Sequence, residues 1–257
     1  MKVVILCGGL GTRLREETEF RPKPMVPVGN RPLLWHIMKL YAHYGHTDFI
    51  LCLGYKGDVI KDYFRNYKWN TSDVTLQLNS QPNVTYHTHH DEEHWTVTMV
   101  DTGQETQTGG RLRRVLPYIT DETFLLTYGD GVTNSNINAS VVFHHQQGGI
   151  ATVTAVRPAA RFGDLVVENN RVMAFKEKPK ESSQFISGGF FVFHKSIGDY
   201  LTDDSTVLEQ SPMTRLAAEG KINAYQHTGF WQCMDTYREQ QILEKLYVSG
   251  EAPWKVW

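Results

Sequence analysis

The residue types best suited to chemistry stand near the N-terminus, in Leu6-Cys7-Gly8-Gly9-Leu10-Gly11-Thr12-Arg13-Leu14, directly after a short apolar run. Glycines at this spacing let the backbone approach a polyphosphate, with successive N–H groups aimed at its oxygens. Arg13 adds a charge-assisted contact to the same anion. A dinucleotide fingerprint needs G-x-G-x-x-G; Gly9 and Gly11 fit, but position 14 is Leu. The P-loop pattern G-x-x-x-x-G-K-[ST] is also absent. Downstream, Lys23 stands between Pro22 and Pro24. That backbone is stiff and excluded from a helix interior, so the lysine is held on a fixed loop. After a glycine-rich turn, such a lysine is read as a neutraliser of phosphate charge.

Two carboxylates extend the pattern. Asp130 follows the apolar run Phe124–Thr127 in Tyr128-Gly129-Asp130-Gly131. At the C-terminal end of a buried strand it faces the ligand crevice of an α/β sheet. The plainer alternative is a turn-forming Asp before Gly131, but the strand-end context shifts the balance to metal binding. Asp235, in Met234-Asp235-Thr236, is equally well read as the N-cap of a final helix.

The loop and the lysine together resemble the sugar-1-phosphate nucleotidyltransferases, whose signature is a G-G-x-G-T-R-L loop followed by a K-P lysine. The likeness runs through nearly the whole chain. Trp35-His36-Ile37-Met38, Gly54-Tyr55-Lys56-Gly57, Val100-Asp101-Thr102-Gly103, Thr108-Gly109-Gly110-Arg111-Leu112 and Phe230-Trp231-Gln232 resemble the members that join CTP to glucose 1-phosphate. The resemblance implies cytidylyl transfer with release of pyrophosphate, giving CDP-glucose. It implies Mg²⁺ held by Asp130 and Asp235, and a homo-oligomer such as a hexamer. Leu6 to Arg13, Lys23, Tyr128 and Gly129 would hold the nucleotide. Its base would lie against Leu6–Gly8 and the Thr108, Gly109 and Arg111 stretch. Arg13, Lys23 and Lys178 would carry the phosphoryl chemistry, with Glu177, Lys178, Ser187 and Gly163 on the sugar phosphate.

Two positions leave the pattern. Ser187 stands where the family usually has Asn, and Asp164 where the glucose enzymes typically have a small residue. Serine cannot duplicate both hydrogen-bonding roles of an amide. Another sugar 1-phosphate, or UTP or dTTP as donor, therefore stays open beside CTP and glucose. A non-catalytic nucleotide-sugar-binding regulator is a further alternative. It is opposed by the presence of Arg13, Lys23, Asp130, Lys178 and Asp235 together.

Strand-like and helix-like segments alternate, which predicts an α/β fold: a mixed, mostly parallel, Rossmann-like sheet with helices on both faces, of the GT-A-like nucleotidyltransferase kind. Residues 1–157 would form the nucleotide-binding half. Residues 158–257 would form the sugar-phosphate half and C-terminal helix of the same compact domain. Helices are expected from Asn30 and Arg31-Pro32 through Tyr41, over Asp58–Tyr67, over Ser205–Glu219 and over Thr236–Val248.

The 257 residues carry a formal charge of -2, so no basic excess advertises a nucleic-acid or membrane partner. Cys7, Cys52 and Cys233 share no metal or redox spacing and are read as reduced thiols in a cytoplasmic protein. Neither a signal peptide nor a run of membrane-spanning length is seen. His90-Asp91-Glu92-Glu93-His94 matches the inverted zinc-protease pattern H-x-x-E-H. Strand alternation on both sides predicts a solvated hairpin tip instead.

Overall fold

Lys2–Leu6 (β1) is buried on both faces: Val3 and Ile5 pack into one hydrophobic layer, Val4 and Leu6 into another. Such a strand belongs inside a sheet covered on both sides. The computed structural model describes residues 1–78, 83–87, 91–158, 164–176 and 184–257. Its principal strands after β1 are Asp48–Leu53 (β2), Thr96–Asp101 (β3), Thr123–Tyr128 (β4), Ala151–Val156 (β5), Ile186–His194 (β6) and Ile222–His227 (β7). They form one seven-stranded sheet in the order β7-β5-β6-β4-β1-β2-β3. Pairings are parallel except those of β6, which runs antiparallel to both β4 and β5. The sheet is therefore mixed and mostly parallel. Strands from either side of residue 157 interleave in it, because β5 lies between β6 and β7.

Helices Leu33–His43 (α1), Gly57–Arg65 (α2) and Tyr237–Val248 (α6) cover one face, joined there by Ile137 of Ile137–Gln147 (α4). Thr108–Val115 (α3) and Ser211–Ala218 (α5) cover the other, through Leu112, Val115 and Leu216. Trp254, fully buried, seats the C-terminal segment on α1 and donates from Nε1 to Nδ1 of His36 at 3.4 Å. The other nitrogen of His36 bonds the Val28 carbonyl at 2.9 Å; burial lowers the ring's pKa to about 4 in spite of that bond, which favours the proton.

Several expected boundaries move. Arg31-Pro32 does not open α1; it pairs antiparallel with Pro27-Val28 across a turn at Gly29, whose φ is +62°, and Pro32 is the N-cap. The helix expected over Ser205–Glu219 shrinks to α5, with Pro212 in its first turn. The preceding carbonyls of Asp204 and Thr206 are occupied by the N–H groups of Gln107, Gly109 and Gly110. The H-x-x-E-H segment is no hairpin tip either, since the hairpin pairs Val74–Gln77 with Asn83–Tyr86. Asp91–His94 forms a single 3-10 turn, and Glu92 is buried against Lys39 at 3.2 Å. His90 lies outside the described residues.

Candidate active site

The C-terminal ends of β1 and β4 and the loop after β3 line a cleft of about 430 Å³. Leu6, Cys7, Gly8, Gly9, Leu10, Gly11, Thr12 and Arg13 line one side as β1 runs out into its loop. Gly11 turns that loop with φ +63°, and a Cβ there would meet Thr18 at 2.7 Å, so glycine is required on both counts. Lys23, Thr108, Arg111, Tyr128 and Gly129 of the expected nucleotide set line the same cleft, together with the expected metal ligands Asp130 and Asp235. Gly109 does not line it: it packs under Thr206, whose carbonyl accepts its N–H at 2.9 Å.

Arg111 is buried at the floor and, among the described residues, bonds no carboxylate. Its guanidinium donates to the carbonyls of Leu53, Gly103, Gly8 and Gln104 and to the Thr102 hydroxyl, at 2.8–3.1 Å. It ties the ends of β1, β2 and β3 into one surface.

At the other end of the cleft the charged residues meet. Lys23 Nζ is 2.7 Å from Asp130 Oδ2 and 2.5 Å from Asp235 Oδ1, and Arg13 Nη1 is 3.0 Å from Asp235 Oδ2. Burial opposes the lysine's charge, but the two carboxylates outweigh it and raise its pKa above the ordinary value. The chain reaches this arrangement through local capping. Thr236, not Asp235, is the N-cap of α6, and Glu239 closes a capping box by accepting the N–H groups of Asp235 and Thr236 at 2.7 and 3.0 Å. The Asp235 carboxylate is thereby left for the cleft. Met234 N donates to the Asp130 carbonyl at 2.8 Å, which fixes the two carboxylate-bearing segments to each other.

A second pocket, about 190 Å³, adjoins the first and shares Arg13, Tyr128, Asp130 and Asp235 with it. Ser187, Gly188 and Gly189 at the start of β6, with Trp231 and Cys233, form much of its remaining wall. Ser187 Oγ accepts the Gly189 N–H at 3.3 Å. Burial and nearby carboxylates push the Cys233 thiol up to about 12. Gly163, Glu177 and Lys178 lie outside the described residues, and Asp164 is described only as backbone at the start of a hairpin strand.

Residues that the sequence reading passed over also shape the site. Gln104 to Gln107 line the cleft after β3. Glu209 accepts from the hydroxyl of Thr108 at 2.7 Å and from the phenol of Tyr128, bridging α3 to the end of β4. Nothing in an isolated exposed glutamate signals such a role. The Val100-Asp101-Thr102-Gly103 motif was the available pointer to the loop after β3.

A glycine-lined cleft at the C-terminal edge of an α/β sheet, closed by two carboxylates and two cations, is the architecture of nucleotidyl transfer. The chain belongs to the nucleotidyl transferase family, which it matches over residues 2–232. It is 51% identical over 258 residues to the glucose-1-phosphate cytidylyltransferase of Salmonella typhi, with all of both chains covered. It is 43% identical over 265 residues to a probable glucose-1-phosphate cytidylyltransferase of Bacillus subtilis, again covering both chains fully. Among solved structures, UDP-glucose pyrophosphorylase complexed with UDP-glucose shares the fold, with a TM-score of 0.68 at 17% identity, covering 97% of this chain and 98% of that one.

Proposed function

We propose that this enzyme transfers the cytidylyl group of CTP to α-D-glucose 1-phosphate, giving CDP-glucose and pyrophosphate. The observation that carries the reaction type is the meeting of Arg13, Lys23, Asp130 and Asp235 at the junction of two pockets, one suited to a nucleotide and one to a sugar phosphate. The choice of cytidine and glucose rests on the full-length identity to glucose-1-phosphate cytidylyltransferases.

The attacking phosphate is already an anion near neutral pH, so no general base is needed. The barrier lies in bringing polyanions together, and it is lowered by positioning and charge neutralisation. The N–H groups and Arg13 of the Gly8–Arg13 loop cradle the triphosphate. Lys23, on its proline-stiffened turn, neutralises charge near the α-phosphate, while Lys178 takes the sugar phosphate and Glu177 the sugar hydroxyls. Asp130 and Asp235 present an all-oxygen, hard donor pair, which fits magnesium. Held there, the ion would supply Lewis-acid charge neutralisation between the nucleotide and the sugar phosphate. The same reading includes a division into a nucleotide half, residues 1–157, and a sugar half, residues 158–257. It also includes a cytoplasmic location, where both phosphorylated substrates are found, a role in bacterial polysaccharide biosynthesis, and a homo-oligomer such as a hexamer. The solvent-facing Val172, Met173 and Phe175 of the hairpin after residue 163 are in keeping with assembly.

Pyrophosphate release with CTP, UTP, dTTP, ATP and GTP, crossed against several sugar 1-phosphates, tests the proposal. CTP with glucose 1-phosphate should give the highest kcat/KM. A higher value for UTP or dTTP would reassign the base, and one for another sugar would reassign the acceptor.

A further inference from the structure

Lys23 faces two demands at once: its ammonium is bonded to both carboxylates, yet the transfer requires a cation on the phosphates. Its backbone cannot move far to meet them. Residues 23–25 form a 3-10 turn begun by Pro22 and containing Pro24, and the Lys23 side chain is only 11% exposed. The lysine stem, by contrast, has four rotatable bonds. Its ammonium sits where the Asp130 and Asp235 carboxylates converge, at 2.7 and 2.5 Å, the position a divalent cation shared by both would take.

We propose that Lys23 is the resident counter-cation of the nucleotide-free enzyme, and that its ammonium is exchanged for the divalent cation only when a nucleoside triphosphate enters. The inference rests on the metal-dependent reading above and adds an order of assembly to it. Two facing carboxylates repel each other in a half-buried site, and the ammonium removes that repulsion. A cation arriving alone must break two charge-assisted hydrogen bonds and leave the largely buried ammonium with no anionic partner. A cation arriving with a triphosphate brings the acceptor: Lys23 swings onto phosphate oxygen as the carboxylates take the metal. Nucleotide and metal therefore bind with strong positive coupling, part of which is set by Lys23.

Mn²⁺ binding, followed by electron paramagnetic resonance and calorimetry without turnover, tests this. The nucleotide-free native protein should bind Mn²⁺ weakly. Lys23→Met and Lys23→Gln, both checked for fold by circular dichroism, should bind it at least about tenfold more tightly, within the usual range of coupling between sites. Adding Asp235→Asn to Lys23→Met should abolish the gain. A non-hydrolysable CTP analogue should raise Mn²⁺ affinity far more in the native protein than in either variant. Unchanged nucleotide-free affinity in both variants overturns the exchange while leaving the function intact. So does a native protein that binds Mn²⁺ through Asp130 as tightly without the analogue as with it. Absence of Mn²⁺ binding even with the analogue would overturn the metal-dependent reading, and the exchange with it.

Discussion

The guanidinium of Arg111 lies directly beneath Gly8: Nη2 is 3.1 Å from the Gly8 carbonyl oxygen, and a Cβ on Gly8 would fall 2.1 Å from Nη1. The arginine cannot retreat, because its other hydrogen bonds hold it to the ends of β2 and β3. Gly8→Ala should therefore destabilise the protein by about 1–3 kcal/mol, the range for overpacking. It should also raise the KM for nucleotide as the loop shifts. Urea midpoints and steady-state kinetics check this, and native values for both would refute the clash.

Asp130→Asn should keep the fold, since Asp235 still pairs with Lys23 and Arg13. Turnover should drop by at least about 10²-fold, as when one electrostatic catalytic group is removed. A near-native kcat at saturating magnesium would take Asp130 out of the reaction.

Glu209 holds Tyr128, whose ring stands between the two pockets, to Thr108 at the start of α3. Glu209→Ala should raise KM for both substrates several-fold with a smaller change in kcat. Tyr128→Phe removes only the hydroxyl contact, which Glu209→Ala also removes along with the Thr108 contact, so the double variant should be little worse than Glu209→Ala alone. Simple additivity of the two effects would show that the contact does not set the wall.

Acid should weaken the fold through His36 and His144. Burial leads both pKa values down to about 4 in the folded chain, from an ordinary 6.5. Below about 6.5 the unfolded chain takes up protons that the folded chain refuses, so stability is full above that pH and falls toward pH 4. Each histidine contributes a slope of about 1.4 kcal/mol per pH unit at most. Replacing His36 by Gln should flatten that part of a stability–pH curve measured with urea, whatever it does to the midpoint at pH 7. An unchanged slope would mean that His36 is protonated in the folded state.

How far the molecule could be read in advance depended on how local its causes were. The β1 run with its glycine loop, and Asp130 after β4, declare themselves through composition and order along the chain. So does α6, expected over Thr236–Val248, although the sequence offered Asp235 as its N-cap and the structure gives that place to Thr236, in a capping box with Glu239. Interactions across long sequence separations left no such trace. The segment before α5 looks helical, yet its carbonyls serve α3, about a hundred residues earlier in the chain. The Lys23 bridge was hidden for the same reason. Each partner was a candidate for phosphate or metal, and nothing in the order of residues says that they touch.

The reversed strand β6 has a consequence for how such an enzyme can diverge. Because it runs against β4, its first residues, not its last, emerge at the edge where the parallel strands end. Ser187 to Gly189 thus enter the second pocket, the one proposed for the sugar phosphate, from a stretch of chain separate from the glycine loop. On that proposed assignment, changes at the head of β6 retune which sugar is accepted while leaving the β1 loop, Lys23 and the floor around Arg111 untouched. So assigned, donor and acceptor preferences sit on different stretches of one sheet, joined by the residues the two pockets share.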